Sequence, residues 1–309
     1  WGSIAFSIGQ TGYMGGGYNL SNKNDFWAYD PVSNAWTQKS NMPVSVRVAS
    51  AFAISNLGYF VGGILPGGNM NSSLYEYNPV SNQWIAKSTF PSAPRYGMIA
   101  FTIGAKAYLG LGNSGSATGP FHDDLFEYDP LLNQWNTKAT FPGLVRYGAI
   151  GISNDTVGFA GFGLTEPTIG NQIFHDDWWK YDPVSDTWSA LASFPGQAKS
   201  YPASMCLDGM IYLGTGLSTG NNYLNDFYKY DPVTNQWTAL TSFPGSPRYV
   251  ASFFTINNSA YWCAGTNNTV SFNDLWEYSP DSSGAVICFT LKPDAATGKD
   301  ALVLSGLPN

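Results

Sequence analysis

Charged residues are scarce in this sequence. Lys and Arg number 14 and Asp and Glu 21 among 309 residues, which is 11% charged, against roughly 25% in an average soluble domain. The resulting net charge of -7 leaves no basic face that could neutralise phosphates or anionic lipid headgroups. We therefore expect no nucleic-acid partner.

Long apolar runs are also missing. No stretch approaches the roughly 18 uninterrupted apolar residues of a membrane-spanning helix. The first ten residues, WGSIAFSIGQ, lack the positively charged start of a signal peptide. We expect no membrane insertion and no leader within this sequence.

Cysteine and histidine are nearly absent. Cys206, Cys263 and Cys288 form no CxxC pair, so we expect no structural zinc site, at most one internal disulfide, and buried free thiols as the simplest state. His122 and His175 both stand in the tetrapeptide FHDD of neighbouring segments. We expect them to order their loops rather than to bind a metal, and we expect no cofactor.

Aromatic residues, glycine and proline are abundant instead. Phe, Trp and Tyr make up 16% of the chain, and there are 34 Gly and 19 Pro. Gly and Pro are unfavourable inside helices, whereas aromatic residues favour strands. The composition predicts an all-β chain of short strands and many turns, and it excludes both a helical bundle and a disordered chain.

One phrase returns six times along the chain, which indicates a structural repeat. It reads NDFWAYDP, SSLYEYNP, DDLFEYDP, DDWWKYDP, NDFYKYDP and NDLWEYSP, with its sixth position occupied by Tyr29, Tyr77, Tyr128, Tyr181, Tyr230 and Tyr278. The first five copies are followed, after six residues, by Trp36, Trp84, Trp135, Trp188 and Trp237. Glycines such as the pair Gly15-Gly16 end an apolar run upstream of each copy.

These features resemble the kelch repeat, whose hallmarks are the glycine pair, the Tyr and the Trp, at a period of about 50 residues. The resemblance implies an all-β, six-bladed β-propeller in which each blade is a four-stranded antiparallel sheet beside a central channel. It covers residues 1–291, with blades at about 1–41, 42–91, 92–142, 143–195, 196–244 and 245–291. We expect the Tyr, Trp and Gly series to be structural, and the repeated acid (Asp25, Asp124, Asp177, Asp226 and Asp274) to hold the preceding loop through backbone hydrogen bonds.

The sixth copy departs from the pattern, since Ala285 stands where the spacing requires Trp. Two alternatives are open: a strand at 286–291 completes the sixth blade, which we favour, or a segment upstream of residue 1 supplies its outer strand. Residues 292–309 fit no blade, so we interpret them as a linker or the start of a further, truncated β module of a longer multidomain chain.

The candidate ligand site lies where the blade-to-blade connections meet the variable loops after each second strand. Both sets of segments emerge on one face of an antiparallel blade. The connections carry cations and aromatics: Arg47, Arg95, Arg146, Lys199 and Arg248, with Trp1, Tyr96, Tyr147, Tyr201 and Tyr249. Such a ring could hold a sugar by stacking or an acidic group by Arg contacts, unless the cations only brace adjacent blades, and members of the kelch family use this face for ligands.

Three functions fit the sequence. The leading one is a non-catalytic propeller of a bacterial protein, secreted or on the cell surface, that binds a carbohydrate or a protein at this mouth. The first alternative is a metal-free carbohydrate-isomerising enzyme resembling the sialate mutarotases, for which Glu166 and Arg146 are the candidate catalytic pair. The second is an architectural spacer in an adhesin. Copper radical oxidases also carry a kelch propeller, but their site needs two histidines that converge, whereas His122 and His175 occupy the same position in successive repeats and cannot meet at the axis.

Overall fold

Six four-stranded antiparallel sheets follow one another in the part of the chain that the computed structural model describes, residues 1–280 and 287–292. In each sheet the four main strands are consecutive in sequence and adjacent in space, so each sheet is one blade. The first strands of neighbouring blades contact one another and line the channel. The all-β, six-bladed kelch propeller that the sequence predicts is thereby confirmed.

The strands run from the channel outward. In blades 1 to 3 they are Ile4–Ile8, Thr11–Gly15, Phe26–Asp30, Ala35–Gln38; Ser50–Ile54, Leu57–Val61, Leu74–Asn78, Gln83–Ala86; and Ile99–Ile103, Lys106–Gly110, Leu125–Asp129, Gln134–Lys138. In blades 4 to 6 they are Ile150–Ser153, Gly158–Gly161, Trp178–Asp182, Thr187–Ala190; Ala203–Leu207, Met210–Gly214, Phe227–Asp231, Gln236–Leu240; and Ser252–Ile256, Ser259–Cys263, Leu275–Pro280, Ile287–Leu291.

The loops after the second strands contain small elements of their own. Short strand pairs are Tyr18–Asn19 with Ser21–Asn22, Asn113–Ser116 with Gly119–Phe121, Leu164–Thr165 with Ile173–Phe174, and Leu217–Ser218 with Asn222–Tyr223. Single 3-10 turns lie at Pro66–Gly68 and Thr219–Asn221. No helix among the described residues is long and apolar enough to cross a membrane.

The repeated Tyr and Trp join neighbouring blades at the outer rim. In blade 3 the Tyr128 hydroxyl donates to Asn133 Oδ1 at 2.9 Å, which also accepts from the Ser88 amide of blade 2 at 2.9 Å. Trp135 Nε1 donates to the Ser88 carbonyl at 3.0 Å. Equivalent contacts join blades 1 and 2, 3 and 4, and 4 and 5. Both residues therefore have the expected structural role, which is to join one blade to the next.

The ring closes without exchanging a strand between the first and last blades. At the junction of blades 1 and 2, the Phe6 ring lies where a Cβ on Gly58 would be, at 2.2 Å. Phe254 of blade 6 lies against Gly12 of blade 1 in the same way, also at 2.2 Å. The closing junction therefore repeats the packing of the internal ones.

The sixth blade is completed from the C-terminal side, as the favoured alternative expected. Ile287–Leu291 pairs with Leu275–Pro280, and Phe289 lies opposite Tyr278 where Trp188 lies opposite Tyr181 in blade 4. The Phe289 and Tyr278 rings are 5.1 Å apart. Phe289 thus takes the place of the missing Trp. Ala285 and residues 293–309 lie outside the described residues.

Candidate ligand-binding site

The channel mouth is bounded by six equivalent residues, one just before each inner strand. All have left-handed backbone conformations: Gly2 (φ 69°), Val48 (54°), Gly97 (64°), Gly148 (63°), Tyr201 (50°) and Val250 (46°). Five successive amide-to-carbonyl hydrogen bonds of 2.7–3.3 Å connect them around the mouth, from Tyr201 through Gly148, Gly97, Val48 and Gly2 to Val250. We call this set the mouth hoop.

The residue preceding each hoop residue defines the mouth position. Backbone bridges to the loop after the second strand identify these residues as Arg47, Tyr96, Tyr147, Ser200 and Tyr249, and Trp1 precedes Gly2 in blade 1. Arg47 therefore occupies a tyrosine position rather than the position of the other four cations. Tyr201 is displaced too, since it belongs to the hoop and Ser200 takes the mouth position.

The other four cations are buried inside the blades. Arg95, Arg146, Lys199 and Arg248 are at most 1% exposed. Each binds the repeated acid of its own blade: Arg95 with Asp124, Arg146 with Asp177, Lys199 with Asp226 and Arg248 with Asp274. These carboxylates were expected to accept backbone hydrogen bonds, and they accept from cationic side chains instead.

The surroundings of Arg95 show how fully such a cation is engaged. Its guanidinium donates to Asp124 Oδ1 at 2.6 Å, to Asp124 Oδ2 at 3.0 Å and to the Leu111 carbonyl at 3.1 Å. It also lies over the Phe90 ring, 5.2 Å from the centroid. At Lys199 burial lowers the pKa of the ammonium, and the Asp226 carboxylate opposes that shift. These charged groups present no free charge at the mouth.

Blade 2 lacks both members of this pair. Its cation position is Val46, whose carbonyl accepts from Gly17 as the Arg95 carbonyl accepts from Gly63. Its acid position is Ser73, the residue before the third strand, where blade 3 has Asp124. Val46 packs in an apolar cluster.

Arg47 is the exposed counterpart of the buried cations. No carboxylate of the described residues lies within ion-pair distance of it, and it is partly exposed. Its guanidinium donates to Asn22 Oδ1 at 2.6 Å and lies 5.0 Å from the Tyr18 ring centroid and 5.9 Å from that of Trp1. An Arg side chain has five donors, and the bond to Asn22 uses one of them.

Four tyrosines continue the mouth from blade 3 to blade 6. The rings of Tyr96 and Tyr147 are 5.5 Å apart, those of Tyr147 and Tyr201 6.1 Å, and those of Tyr201 and Tyr249 6.4 Å, all edge to face. Burial raises the pKa of each hydroxyl above its usual range. The hydroxyls are therefore neutral hydrogen-bonding groups at physiological pH.

Three aromatic residues of the site were not among the predicted ones. Tyr18, Phe121 and Tyr223 come from loops after second strands, and they contact Arg47, Tyr147 and Tyr249 respectively. The only signal for them in the sequence was an aromatic residue within a variable loop. Their place at the mouth depends on the loop hairpins.

The predicted catalytic pair is not formed. Glu166 is 5% exposed and accepts from the Gly170 amide at 2.7 Å and from Gln172 at 3.3 Å, within its own loop. Arg146 is bound to Asp177 instead. Leu164, two residues before Glu166, forms a backbone bridge with Tyr147, so the loop that carries Glu166 starts beside the mouth tyrosines.

Both histidines bond to hydroxyls within their loops. His122 Nε2 contacts Ser114 at 2.8 Å and His175 Nε2 contacts Thr165 at 2.9 Å. Within residues 1–280 and 287–292 no group of three or more His, Cys, Asp or Glu is placed to hold a metal ion. Cys206 and Cys263 are free, the first half-buried and the second buried; the Cys288 side chain lies outside the description.

Two adjoining cavities follow the channel behind the mouth. A cavity of about 180 Å³ lies beneath the hoop, bounded by Gly97, Tyr201 and small side chains of the inner strands. A larger one of about 550 Å³ opens toward the opposite face, beside Asp155 and Asp208. Tyr201 reaches across this end of the channel, since its ring lies against Gly148 and its hydroxyl against Gly97.

Comparison with known proteins agrees with this architecture. The family model described as "Kelch motif" matches residues 14–43 and 198–244. The solved structure of YjhT superposes with a TM-score of 0.78 at 16% identity, covering 94% of this chain and 97% of that one. At this identity the likeness concerns the fold.

Two curated relatives match parts of the chain. An N-acetylneuraminate epimerase of Pasteurella multocida is 35% identical over 109 residues, which is 35% of this chain and 27% of the relative. An N-acetylneuraminate epimerase of Vibrio cholerae is 32% identical over 91 residues, 29% of this chain and 22% of the relative. The chain thus aligns with about a quarter of the length of each.

Proposed function

We propose that this chain, a six-bladed β-propeller built from kelch repeats, binds an acidic carbohydrate at the channel mouth. The observation that carries the proposal is Arg47, a cation without a carboxylate partner among the described residues, set among aromatic rings at the edge of the mouth. A sugar offers apolar C–H faces to such rings, and a sugar carboxylate offers two acceptors to the guanidinium.

The charge distribution supports an anionic ligand. The repeated cations of blades 3 to 6 are neutralised by their own acids, whereas the acid position of blade 2 is Ser73. In a chain with a net charge of -7, one unpaired Arg beside neutral tyrosines makes a local site for a single negative group. Of the predicted ligand residues, Arg47, Trp1 and the tyrosines carry this proposal, whereas the buried cations are paired with the acids of their own blades.

Calorimetric titration with N-acetylneuraminate and with neutral N-acetylglucosamine tests the proposal. We expect the acidic sugar to bind and the neutral one to bind at least about tenfold more weakly, since a hydrogen bond to a charged group contributes about 1.5–3 kcal/mol. Arg47→Gln should remove this difference while leaving the melting temperature unchanged.

Lys39→Gln is the matched control, because it removes the same charge from a residue that follows the outer strand of blade 1. It should leave binding unchanged. Absence of binding by either sugar would contradict the proposal and favour an architectural role, and binding that is indifferent to Arg47 would contradict the assignment of the site.

A second candidate is epimerisation of N-acetylneuraminate, supported by the names of the two partial relatives. The acid-base group near the mouth would be Glu166, held by Gly170 and Gln172, with a mouth tyrosine rather than Arg146 as its partner. NMR exchange between the anomers of N-acetylneuraminate tests it. We expect Glu166→Gln to abolish any catalysed exchange and Asp155→Asn, on the opposite face, to leave it intact; an uncatalysed rate in the unmodified protein would end this candidate.

A further inference from the structure

The aromatic residues at the mouth are not spread evenly around it. Loops of blades 1, 3 and 5 each send a ring to the mouth residue of the next blade. The guanidinium of Arg47 lies 5.0 Å from the Tyr18 ring. Phe121 stacks on Tyr147 at 5.6 Å with an angle of 4° between the planes. The Tyr223 and Tyr249 rings are 5.5 Å apart.

One further aromatic ring contacts each of these pairs. Trp1 lies 5.2 Å from Tyr18, Tyr96 lies 5.5 Å from Tyr147, and Tyr201 lies 6.4 Å from Tyr249. Three aromatic groups result, which we call the first, second and third groups in chain order. All nine side chains are partly exposed.

The second and third groups are continuous, because Tyr147 and Tyr201 are 6.1 Å apart. The first group adjoins the second at the mouth hoop, because the Gly97 amide donates to the Val48 carbonyl at 3.3 Å and these two residues directly follow Tyr96 and Arg47. Successive ring spacings of 5.5–6.4 Å are comparable to the width of a pyranose ring. Three such spacings follow one another from Tyr96 to Tyr249, so this row of rings offers more than one sugar-sized position.

We propose that the mouth takes an oligosaccharide whose acidic terminal sugar lies at Arg47 and whose following sugars lie on the second group. This inference rests on the proposed binding of an acidic carbohydrate and adds the length and direction of the ligand. The neutral hydroxyls of Tyr96 and Tyr147 supply hydrogen bonds to the second sugar, and Phe121 supplies a flat apolar surface beside it. The charge requirement and the stacking requirement are then met by different sugar units.

Titration with N-acetylneuraminate, with 3'-sialyllactose and with lactose separates these contributions. We expect sialyllactose to bind at least about tenfold more tightly than the single acidic sugar, and lactose to bind weakly. Phe121→Ala should reduce the affinity for sialyllactose by about tenfold and leave that for N-acetylneuraminate unchanged. Phe121→Tyr keeps a ring and should retain the affinity, whereas Ile169→Ala, which truncates an exposed residue in a neighbouring loop of this face, is the control for loop damage.

Each outcome decides the inference. Equal affinity for the single sugar and the trisaccharide would overturn it while leaving the proposed function in place. An equal loss of both ligands in Phe121→Ala would also overturn it, since Phe121 would then act on the terminal sugar. Binding of neither ligand by the unmodified protein would overturn the inference together with the proposed function.

Discussion

The fully buried Arg95 donates hydrogen bonds to both carboxylate oxygens of Asp124, at 2.6 and 3.0 Å. Breaking a buried pair leaves one charge without a partner, and Asp124 keeps a quarter of its side chain exposed, so each of Arg95→Val and Asp124→Ser should cost about 3 kcal/mol. The introduced residues, Val and Ser, are those that blade 2 has at the same positions, Val46 and Ser73. The double variant should therefore cost less than the sum of the two, as measured by urea denaturation.

A melting temperature that is unchanged in both single variants would contradict this structural role. It would return Arg95 to the set of residues available for ligand contact. A double variant that costs the full sum of the single ones would show that the two side chains do not interact.

Phe289 should stabilise the sixth blade. Its ring packs on Tyr278, Phe227 and Phe243, so Phe289→Ala should lower the free energy of unfolding by about 2 kcal/mol, less than for a fully buried Phe because it is partly exposed. Thr290→Ala, at the next and exposed residue, should stay within about 0.5 kcal/mol. Thermal unfolding of the pair measures the difference, and equal effects would contradict the packing.

Gly148 makes room for Tyr201. A Cβ on Gly148 would lie 2.5 Å from the Tyr201 ring, at φ +63°. Gly104 has nearly the same φ, +57°, with nothing within 4 Å of its Cβ position. Gly104→Ala should cost about 1 kcal/mol for the left-handed backbone, and Gly148→Ala should cost about 2 kcal/mol more through the clash.

Tyr201→Ala provides the complementary test of that clash. Placed in the Gly148→Ala background, it should recover most of the additional loss in chemical denaturation. If the loss stays the same, Gly148 is required for a reason other than the position of Tyr201.

His175 should make the protein less stable in mild acid. Burial, followed by the neighbouring Arg146 charge, lowers the pKa of His175 to about 4, whereas an unfolded His titrates near 6.5. Between these values the unfolded chain binds the extra proton, so stability falls as the pH drops from about 6.5 to about 4. His175→Gln should flatten this part of the curve of unfolding free energy against pH, while an unchanged slope would show that other groups cause it.

The repeat made most of the fold predictable. Tyr128, Trp135 and their equivalents recur at a fixed spacing because they make the same contacts between successive blades. The role of these residues in one blade therefore predicts their role in the others. The outer strand of blade 6 was harder, because Phe289 follows Tyr278 by a longer interval than Trp follows Tyr elsewhere. A fixed spacing along the chain therefore does not locate the equivalent residue.

The mouth was harder still. Arg47 follows Met42 at the spacing by which Arg95 follows Phe90, but Arg47 lies one residue closer to its inner strand. The two intervals therefore assign Arg47 to different positions. The backbone bridges show that the distance to the inner strand is the one that determines its position. The pairing of the repeated cation with the repeated acid was also not predicted from the sequence. The joint absence of both residues from their positions in blade 2 was the available signal.

The mouth hoop has an electrostatic consequence. Its hydrogen bonds join equivalent residues at one depth of the channel, so their peptide dipoles circulate around the axis and contribute little potential along it, in contrast to the end of a helix. The backbone leaves the entrance electrically neutral. The field that an approaching ion meets is therefore determined by side chains, and an exchange of Arg47 for an acid would replace a positive charge at the mouth by a negative one.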